Sequence, residues 1–463
     1  MPKLTFYGAT KTVTGSRFLF ELRGCRLLID CGLFQGPREI RDRNWESFPA
    51  EPPAIDAVLL THAHIDHTGY LPRLSKDGFA GPIYASPPTT ALCGLLLPDS
   101  GHLQEEEAKF ANKKGFSSHS PALPLYTAAE AKQVLRRFVN LRFDQWEELR
   151  PGVQVRYHRA GHILGAAFIE LRFKAAGGTH RTVVFSGDLG RSRIPILRDP
   201  DPLPACDILI LESTYGDRLH GGDSPRDALA NLVTQAASRG GMVVIPAFAV
   251  GRVQEVLYHL SQLMDEKRIP AWPVFVDSPM ASSATHFYQQ FGTEHDLEFE
   301  DLVRGGKNPF ERENIHFVRT SEESKAINRI SGEAIVVAAS GMASGGRVLH
   351  HLRHRLPDPR STILFVGYQA HGTRGRDLIE GAKSVELFGE EVPVLARIEQ
   401  ITAFSAHADA DDLLRWTGTA ETPPSGVALV HGELAAQEAL RDRLEKERGW
   451  VSLIPDFGQS IDL

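Results

Sequence analysis

The stretch THAHIDHTGY, residues 61–70, places three histidines and an aspartate within six positions, directly after the apolar run Ala57–Leu60. Titratable groups crowded at the end of a buried strand need partners, because a desolvated polar group without one costs free energy. A lone histidine in such a place is usually hydrogen-bonded and nothing more; the string H-x-H-x-D-H is a different case. Zinc is bound by neutral imidazoles and carboxylates at about 2.0–2.2 Å, so its ligands must converge from a rigid frame. Here His62 and His64 can grip one metal ion from a single edge, and Asp66 and His67, one turn further on, can reach a second.

Two ions need more donors, and the chain offers them in similar settings. His162 follows YHRAG in a glycine-flanked loop, Asp188 closes the run TVVFSGD, and His431 ends VALVHGE. Paired metal ions sit about 3.5–4 Å apart and one carboxylate can bridge them; Asp188 is the expected bridge. His102, His119, His158, His220 and His350 have no such neighbourhood and receive no role.

At 463 residues the chain exceeds one ordinary core, so two domains are expected. Its 42% apolar and 24% charged residues are ordinary for a globular protein. The N-terminus, MPKLTFYGAT, lacks a basic stretch followed by an apolar one, so no signal peptide is expected. No run of about 18 apolar residues occurs, so no membrane association is expected either. Cys25, Cys31, Cys93 and Cys206 are scattered without a C-x-x-C pair, which argues against a disulfide framework and points to a reducing cytoplasm. A net charge of −7 excludes a protein coated with basic surface, though not a local basic groove.

The first 214 residues read as short strands (LTFYGA, SRFLFEL, CRLLIDCG, AVLLTHAH, PIYAS, VQVRYHRAGH, AAFIELRF, RTVVFSGDLG, CDILILEST) with helices on the outside. The helices are TTALCGLLLPDSGHLQEEEAKFANK and TAAEAKQVLRRFVNL, which carry apolar residues at spacings of three and four. From about residue 215 to 395 the rhythm changes. GMVVIPAF, PVFVDSP, AIVVAASGM and TILFVGYQ are continuous apolar runs separated by helical or mixed segments, the pattern of a parallel sheet buried on both faces. Residues 396–463 then return to the first domain. The expected architecture is α/β: one domain in two parts, 1–214 and 396–463, interrupted by a second, 215–395.

The histidine string resembles the signature of the metallo-β-lactamase superfamily, whose αββα sandwich holds one or two zinc ions. Asp30, His62, His64, Asp66, His67, His162 and Asp188 match its motifs in order. The chain is further similar to the β-CASP nucleases, which interrupt that sandwich with a Rossmann-like domain: Glu212 in ILILESTYGD, His407 in AFSAHAD and His431 in LVHGE stand where their three additional motifs do, and GATKTVTGS and SGMASGGR are also family-like. The resemblance covers essentially the whole chain. It comes nearest to short bacterial and archaeal relatives of the endonuclease subunit of the cleavage and polyadenylation specificity factor. With Asp30 so near the start and 32 residues after His431, neither the N-terminal RNA-binding domains of archaeal relatives nor the C-terminal domain of ribonuclease J is expected. In the family, a histidine at the third additional motif accompanies RNA enzymes, whereas Artemis-like DNA nucleases lack it, so His431 tips the substrate toward RNA.

The resemblance implies a zinc-dependent ribonuclease, endonucleolytic or 5′–3′ exonucleolytic, with two zinc ions per chain and its active site in the cleft between the domains. His62, His64 and His162 are expected on one zinc, Asp66, His67 and His431 on the other, and Asp188 between them; a shared water of lowered pKa is the attacking group. Asp66 thereby counts among the catalytic residues. His407 is the expected general acid, with Glu212 orienting it and favouring its protonated form. Asp30 is expected to hydrogen-bond a ligand histidine and fix its tautomer. Substrate grip is expected from Ser340, Gly341, Gly345, Gly346, Arg347 and Arg374, since SGMASGGRVLH reads as strand, glycine-rich loop and helix. Between Ser340 and Arg376 there are six arginines (Arg347, Arg353, Arg355, Arg360, Arg374 and Arg376) against one acid, Asp358, which suggests a phosphate-tracking face for single-stranded RNA. His371 receives no catalytic role. The exposed edges of an inserted domain make a homodimer a reasonable expectation. The rival readings are a DNA nuclease of the same family, a small-molecule metallo-hydrolase acting on thioesters or lactams, and a nonenzymatic RNA-binding scaffold; the complete ligand set weighs against the last.

Overall fold

A computed structural model describes residues 2–115, 121–175, 177–221, 224–367, 369 and 372–463. His119 and His371, given no role above, lie outside the described residues. The chain divides into two compact units: residues 1–193, 199–219 and 407–463 form the first, and 194–198 with 220–406 the second.

The first unit contains two seven-stranded sheets. One runs, edge to edge, Ser460–Asp462, Lys3–Phe6, Phe18–Leu22, Cys25–Ile29, Ala57–Leu59, Ile83–Ala85 and Phe138–Asn140. The other runs Ser452–Leu453, Gly426–Val430, Ile208–Glu212, His180–Phe185, Ala167–Lys174, Val153–Arg159 and Trp146–Arg150. Alternate side chains of both sheets meet in a single core that includes Phe6, Phe18, Phe20, Leu27, Ile29, Ile169, Leu171, Phe173 and Phe185. Phe20 and Phe173 face each other across it, with ring centroids 5.0 Å apart. Burying the inner faces of two sheets against one another is the main apolar gain of such a sandwich. Trp416, from the helix Ala410–Thr417, meets Phe168 edge-on at 5.3 Å on the outer face of the second sheet. The helix Pro87–Lys114 starts at Ser86, whose hydroxyl caps the Thr89 N–H, and buries Leu92, Cys93 and Leu97.

In each sheet one half is parallel: Cys25–Ile29, Ala57–Leu59, Ile83–Ala85 and Phe138–Asn140 in the first, His180–Phe185, Ile208–Glu212, Gly426–Val430 and Ser452–Leu453 in the second. Parallel strands present their carboxyl ends together, and the loops leaving those ends are where α/β folds bind ligands. Asp30, the histidine string, Asp188, Glu212 and His431 all leave those ends.

The second unit is a six-stranded sheet in the order Ile315–Phe317, Val274–Asp277, Ile335–Ala338, Val243–Pro246, Thr362–Phe365 and Arg397–Gln400, parallel throughout. Its four inner strands are apolar runs because helices cover both faces; Val244, Val336, Ile363 and Phe365 share a core with Val348, Leu352 and Leu378 from the helices Val348–Arg355 and Arg374–Ile379.

Three boundaries and one short segment differ from the sequence reading: the second unit begins at His220 rather than 215, and residues 194–198 belong to it. The helix expected over TAAEAKQVLRRFVNL ends at Val134, followed by one 3₁₀ turn, and Phe138–Asn140 becomes an edge strand parallel to Ile83–Ala85. The return to the first unit, expected at 396, comes at His407, because Arg397–Gln400 pairs in parallel with Thr362–Phe365 and completes the second unit's sheet. Among the described residues no helix is long and apolar enough to cross a membrane.

Candidate metal centre

The site is built by loops held close together at strand ends. The histidine string is laid against the loop after Cys25–Ile29 by main-chain hydrogen bonds from Cys31 N to His67 O (2.7 Å), Leu33 N to Ile65 O (2.9 Å) and Ser16 N to Asp66 O (2.9 Å). Only glycine fits at 32, where a Cβ would lie 1.5 Å from the Asp66 carbonyl oxygen. Gly190 does the same for the loops carrying His162 and Asp188: its N–H reaches Ala160 O at 2.7 Å, and a Cβ there would meet Gly161 O at 2.0 Å. His431 takes a left-handed backbone (φ 52°), held by its N–H on Ala9 O (2.7 Å), and Asp30 does likewise (φ 56°). Non-glycine residues persist in that region only where the surroundings over-determine them, and such residues cluster at functional sites.

All seven expected ligands come together. His62 Nε2 lies 3.0 Å from His64 Nδ1, and His162 Nε2 lies 3.3 Å from the same atom. Asp188 Oδ2 stands 3.5 Å from His62 Nε2 and 3.7 Å from His162 Nε2. On the other side, His431 Nε2 is 3.2 Å from His67 Nε2 and 3.3 Å from Asp66 Oδ2, while Asp188 Oδ1 is 3.2 Å from His67 Nε2. Ligands at 2.0–2.2 Å in a tetrahedron around zinc are separated by about 3.3–3.6 Å. The donor spacings cluster around that edge length, and the two oxygens of Asp188 face the two donor groups separately. The residues fit a pair of divalent cations.

The electrostatics point the same way. Burial, reinforced by the neighbouring imidazoles, holds His62 well below the ordinary histidine range, and burial brings His64 down to about 4. Both are neutral at physiological pH, with lone pairs available to a cation. Burial also works against charge on Asp188, yet the surrounding imidazoles, His431 and His67 first, keep it well below the usual carboxylate range. His67 behaves oppositely: burial opposes its proton, but Asp188 and Asp30 hold it well above the usual imidazole range. Asp30 Oδ2 lies 2.8 Å from His67 Nδ1, and its carboxylate also accepts the Thr61 N–H and hydroxyl, each at 2.8 Å.

Beside the cluster stand the two remaining expected residues. Glu212 is fully buried and accepts from Leu189 N (2.5 Å) and the Thr214 hydroxyl (2.6 Å); its Oε2 lies 3.5 Å from His407 Nδ1. Burial opposes a proton on His407, and Glu212, then Asp188 and Asp66, outweigh it, so the imidazole sits above its ordinary range. His407 is placed by bridging to Gly190 and by Ala408 N on Leu189 O (2.8 Å).

Sequence reasoning overlooked the hydroxyls. Thr61 and Thr214 both lie within the quoted strings, each just past a strand end and in contact with a buried acid. A hydroxyl residue beside a strand-end carboxylate was the available signal.

The expected substrate residues lie in the second unit, and the two arginines among them are engaged by their own surroundings. Arg347 donates to Asp277 Oδ1 (2.7 Å) and to the carbonyls of Val318 and Arg319. Arg374 donates to the carbonyls of Ala343 (2.7 Å) and Glu386 (3.2 Å). Of the others, Arg353 pairs with Glu390, Arg360 with Asp358, Arg376 with Glu380, and Arg355 holds the carbonyls of Ile327, Asn328 and Ile330. In the structure these guanidiniums tie loops, helices and the Ser384–Pro393 hairpin of the second unit together. Ser340, Gly341, Gly345 and Gly346 lie in the loop between Ile335–Ala338 and the helix Val348–Arg355.

Comparison with known proteins gives the family. Residues 13–246 match the metallo-β-lactamase superfamily, 253–378 the β-CASP domain, and 391–455 the Zn-dependent metallo-hydrolase RNA specificity domain. The chain is 38% identical to Ribonuclease TTHA0252 of Thermus thermophilus over 98% of both chains. It is 33% identical to Transcription termination factor FttA of Methanosarcina mazei, over 93% of this chain and 67% of that one. A crystal structure of a protein of unknown function from Enterococcus faecalis shares the fold, with TM-score 0.57 at 15% identity over the full length of both chains. The chain belongs to the metallo-β-lactamase superfamily and, within it, to the β-CASP family.

Proposed function

We propose that this protein is a zinc-dependent ribonuclease that hydrolyses phosphodiester bonds of single-stranded RNA, with His407 as the general acid. The observation that carries the reading is the pairing of a seven-donor cluster with a second buried acid–imidazole pair, Glu212 and His407, at its border. Hydrolysis of a small ester or lactam does not call for that second pair. The likeness to a protein named as a ribonuclease and the match to an RNA specificity domain support RNA as the substrate.

One zinc would be held by His62, His64 and His162, the other by Asp66, His67 and His431, with Asp188 offering one oxygen to each. Bound there, the ions would supply a water of near-neutral pKa and neutralise charge on the phosphate. Asp30 holds the proton on His67 Nδ1 and so leaves Nε2 facing the cluster. His407, with Nδ1 turned toward Glu212, presents Nε2 to the leaving ribose oxygen and delivers its proton there. The main-chain N–H groups of Ser340, Gly341, Gly345 and Gly346 remain candidates for backbone phosphate. The four cysteines are free and buried, which suits a reducing cytoplasm.

The test is incubation of zinc-loaded protein with 5′-labelled single-stranded RNA, DNA of the same sequence and a thioester. Cleavage of RNA in preference to the others is expected, and His407→Ala should lower its rate by about 10²–10⁴ while zinc stays near two per chain. Preferential thioester hydrolysis would overturn the substrate, and full activity in His407→Ala would remove the acid. Fragment length in the same digest separates internal cutting from trimming.

A further inference from the structure

Thr214 has no part in the chemistry outlined above, yet it touches both halves of the site. Its Oγ1 lies 2.6 Å from Glu212 Oε2 and 3.1 Å from His431 Nδ1. A hydroxyl carries one proton. That proton has two acceptors in reach, Glu212 Oε2 at 2.6 Å and the His431 carbonyl oxygen at 3.1 Å, and given to either one it is not available to His431 Nδ1. The hydroxyl oxygen can then only accept from His431, which requires the hydrogen of that ring on Nδ1. The other neighbour of Nδ1, Asp188 Oδ1 at 3.4 Å, is an acceptor too. With Nδ1 protonated, the lone pair of Nε2 faces His67 and Asp66, the direction in which a cation would be bound.

We propose that Thr214 is a positioning residue whose hydroxyl fixes the His431 tautomer and couples this ligand to the Glu212 carboxylate beside the general acid. The proposal rests on the metal-dependent reading above. It reaches further by making one hydroxyl answer for the orientation of both the His431 ring and the Glu212 carboxylate. Thr61 stands in the mirrored setting at the other sheet, with its hydroxyl on Asp30 Oδ2 (2.8 Å) and 3.1 Å from His62 Nδ1. There, however, Asp30 itself meets the ring of His67. At His431 Nδ1 the Asp188 carboxylate stands off at 3.4 Å, so the nearer threonine takes the part.

The test uses the full chain with ¹⁵N-labelled histidine, stripped of metal and examined by long-range ¹H–¹⁵N correlation. His431 should be found as the Nδ1–H tautomer in the unaltered protein and in Thr214→Ser, and as a mixture in Thr214→Val. Zinc affinity, measured by competition with a chromogenic chelator, should fall about 10–100-fold in Thr214→Val and recover in Thr214→Ser. An Nε2–H tautomer in the unaltered protein overturns the proposal even if the valine variant does not fold, and so does a valine variant with unchanged zinc affinity. Failure of the unaltered protein to bind zinc at all would instead overturn the parent reading.

Discussion

Two buried aspartates, each in contact with imidazole, behave differently in this molecule. Asp277, at the end of the strand Val274–Asp277 in the second unit, is fully buried, and its oxygens meet His351 Nε2 at 2.6 Å, Ser324 Oγ at 2.6 Å and Arg347 at 2.7 Å. Asp188, in the first unit, is just as buried, yet its basic neighbours stand off at 3.2–3.9 Å: His67, His431, His62, His162 and His407. Both carboxyls are held below their ordinary range by those neighbours against the effect of burial. Charge alone therefore does not distinguish them, but distance does. Hydrogen-bonded partners close to 2.6–2.9 Å, whereas ligands of one cation keep the longer edge of a coordination polyhedron. Asp277 is the centre of a closed hydrogen-bonded network, whereas the neighbours of Asp188 keep the spacing that the proposed ions would need.

The contrast breaks most visibly at Asp188. Asp188→Ala should release zinc and lower RNA cleavage by at least about a thousandfold, since metal stabilisation of charge is worth several kcal/mol and each 1.36 kcal/mol is a factor of ten. Metal analysis and turnover read it directly. Asp277→Ala should do the reverse: zinc content stays the same, and stability falls by about 3–5 kcal/mol because Arg347 and His351 lose their buried partner. Denaturant unfolding followed in the second unit measures the loss.

The same network gives a pH dependence whose sign is set by the lowered Asp277 value. A carboxyl with its folded pKa below that of the unfolded chain contributes stability in full above the unfolded value, near 3.9, and loses it as pH falls through the folded one. Acid unfolding of the intact protein should therefore steepen below about pH 4, and Asp277→Asn should flatten that limb. The smallest effect on function is expected from Arg347→Ala. Its guanidinium is engaged with Asp277 and two carbonyls, so stability should drop by about 1.5–3 kcal/mol while RNA affinity changes by less than about twofold and its salt dependence stays the same.

What the sequence made legible follows from how local each signal is. His62, His64, Asp66 and His67 declare themselves because six adjacent positions carry the whole pattern, and Asp188 and His431 stand out as polar residues ending apolar runs. The two-sheet and parallel-sheet halves are readable from the alternation of short strands in one and continuous apolar runs in the other. What engages several of the arginines could not be read from a count, because the partners lie elsewhere: Asp277 is seventy positions before Arg347, and the carbonyls that hold Arg355 and Arg374 leave no mark in a residue count. Thr214 carries a local signal, a hydroxyl two positions after a strand-end acid, but its contact with His431, 217 positions away, leaves no mark in the sequence. Phe138–Asn140 continues a helical apolar spacing but lies beside an open strand edge, and pairing with Ile83–Ala85 prevailed over local periodicity.

The most direct measurement is anomalous diffraction at the zinc edge from crystals of protein purified without chelators. Two peaks about 3.5–4 Å apart are predicted, one on each side of the Asp188 carboxylate and none beside Asp277. An absence of signal at Asp188, or a metal seated between Asp277 and His351 instead, would contradict the assignment of these two aspartates.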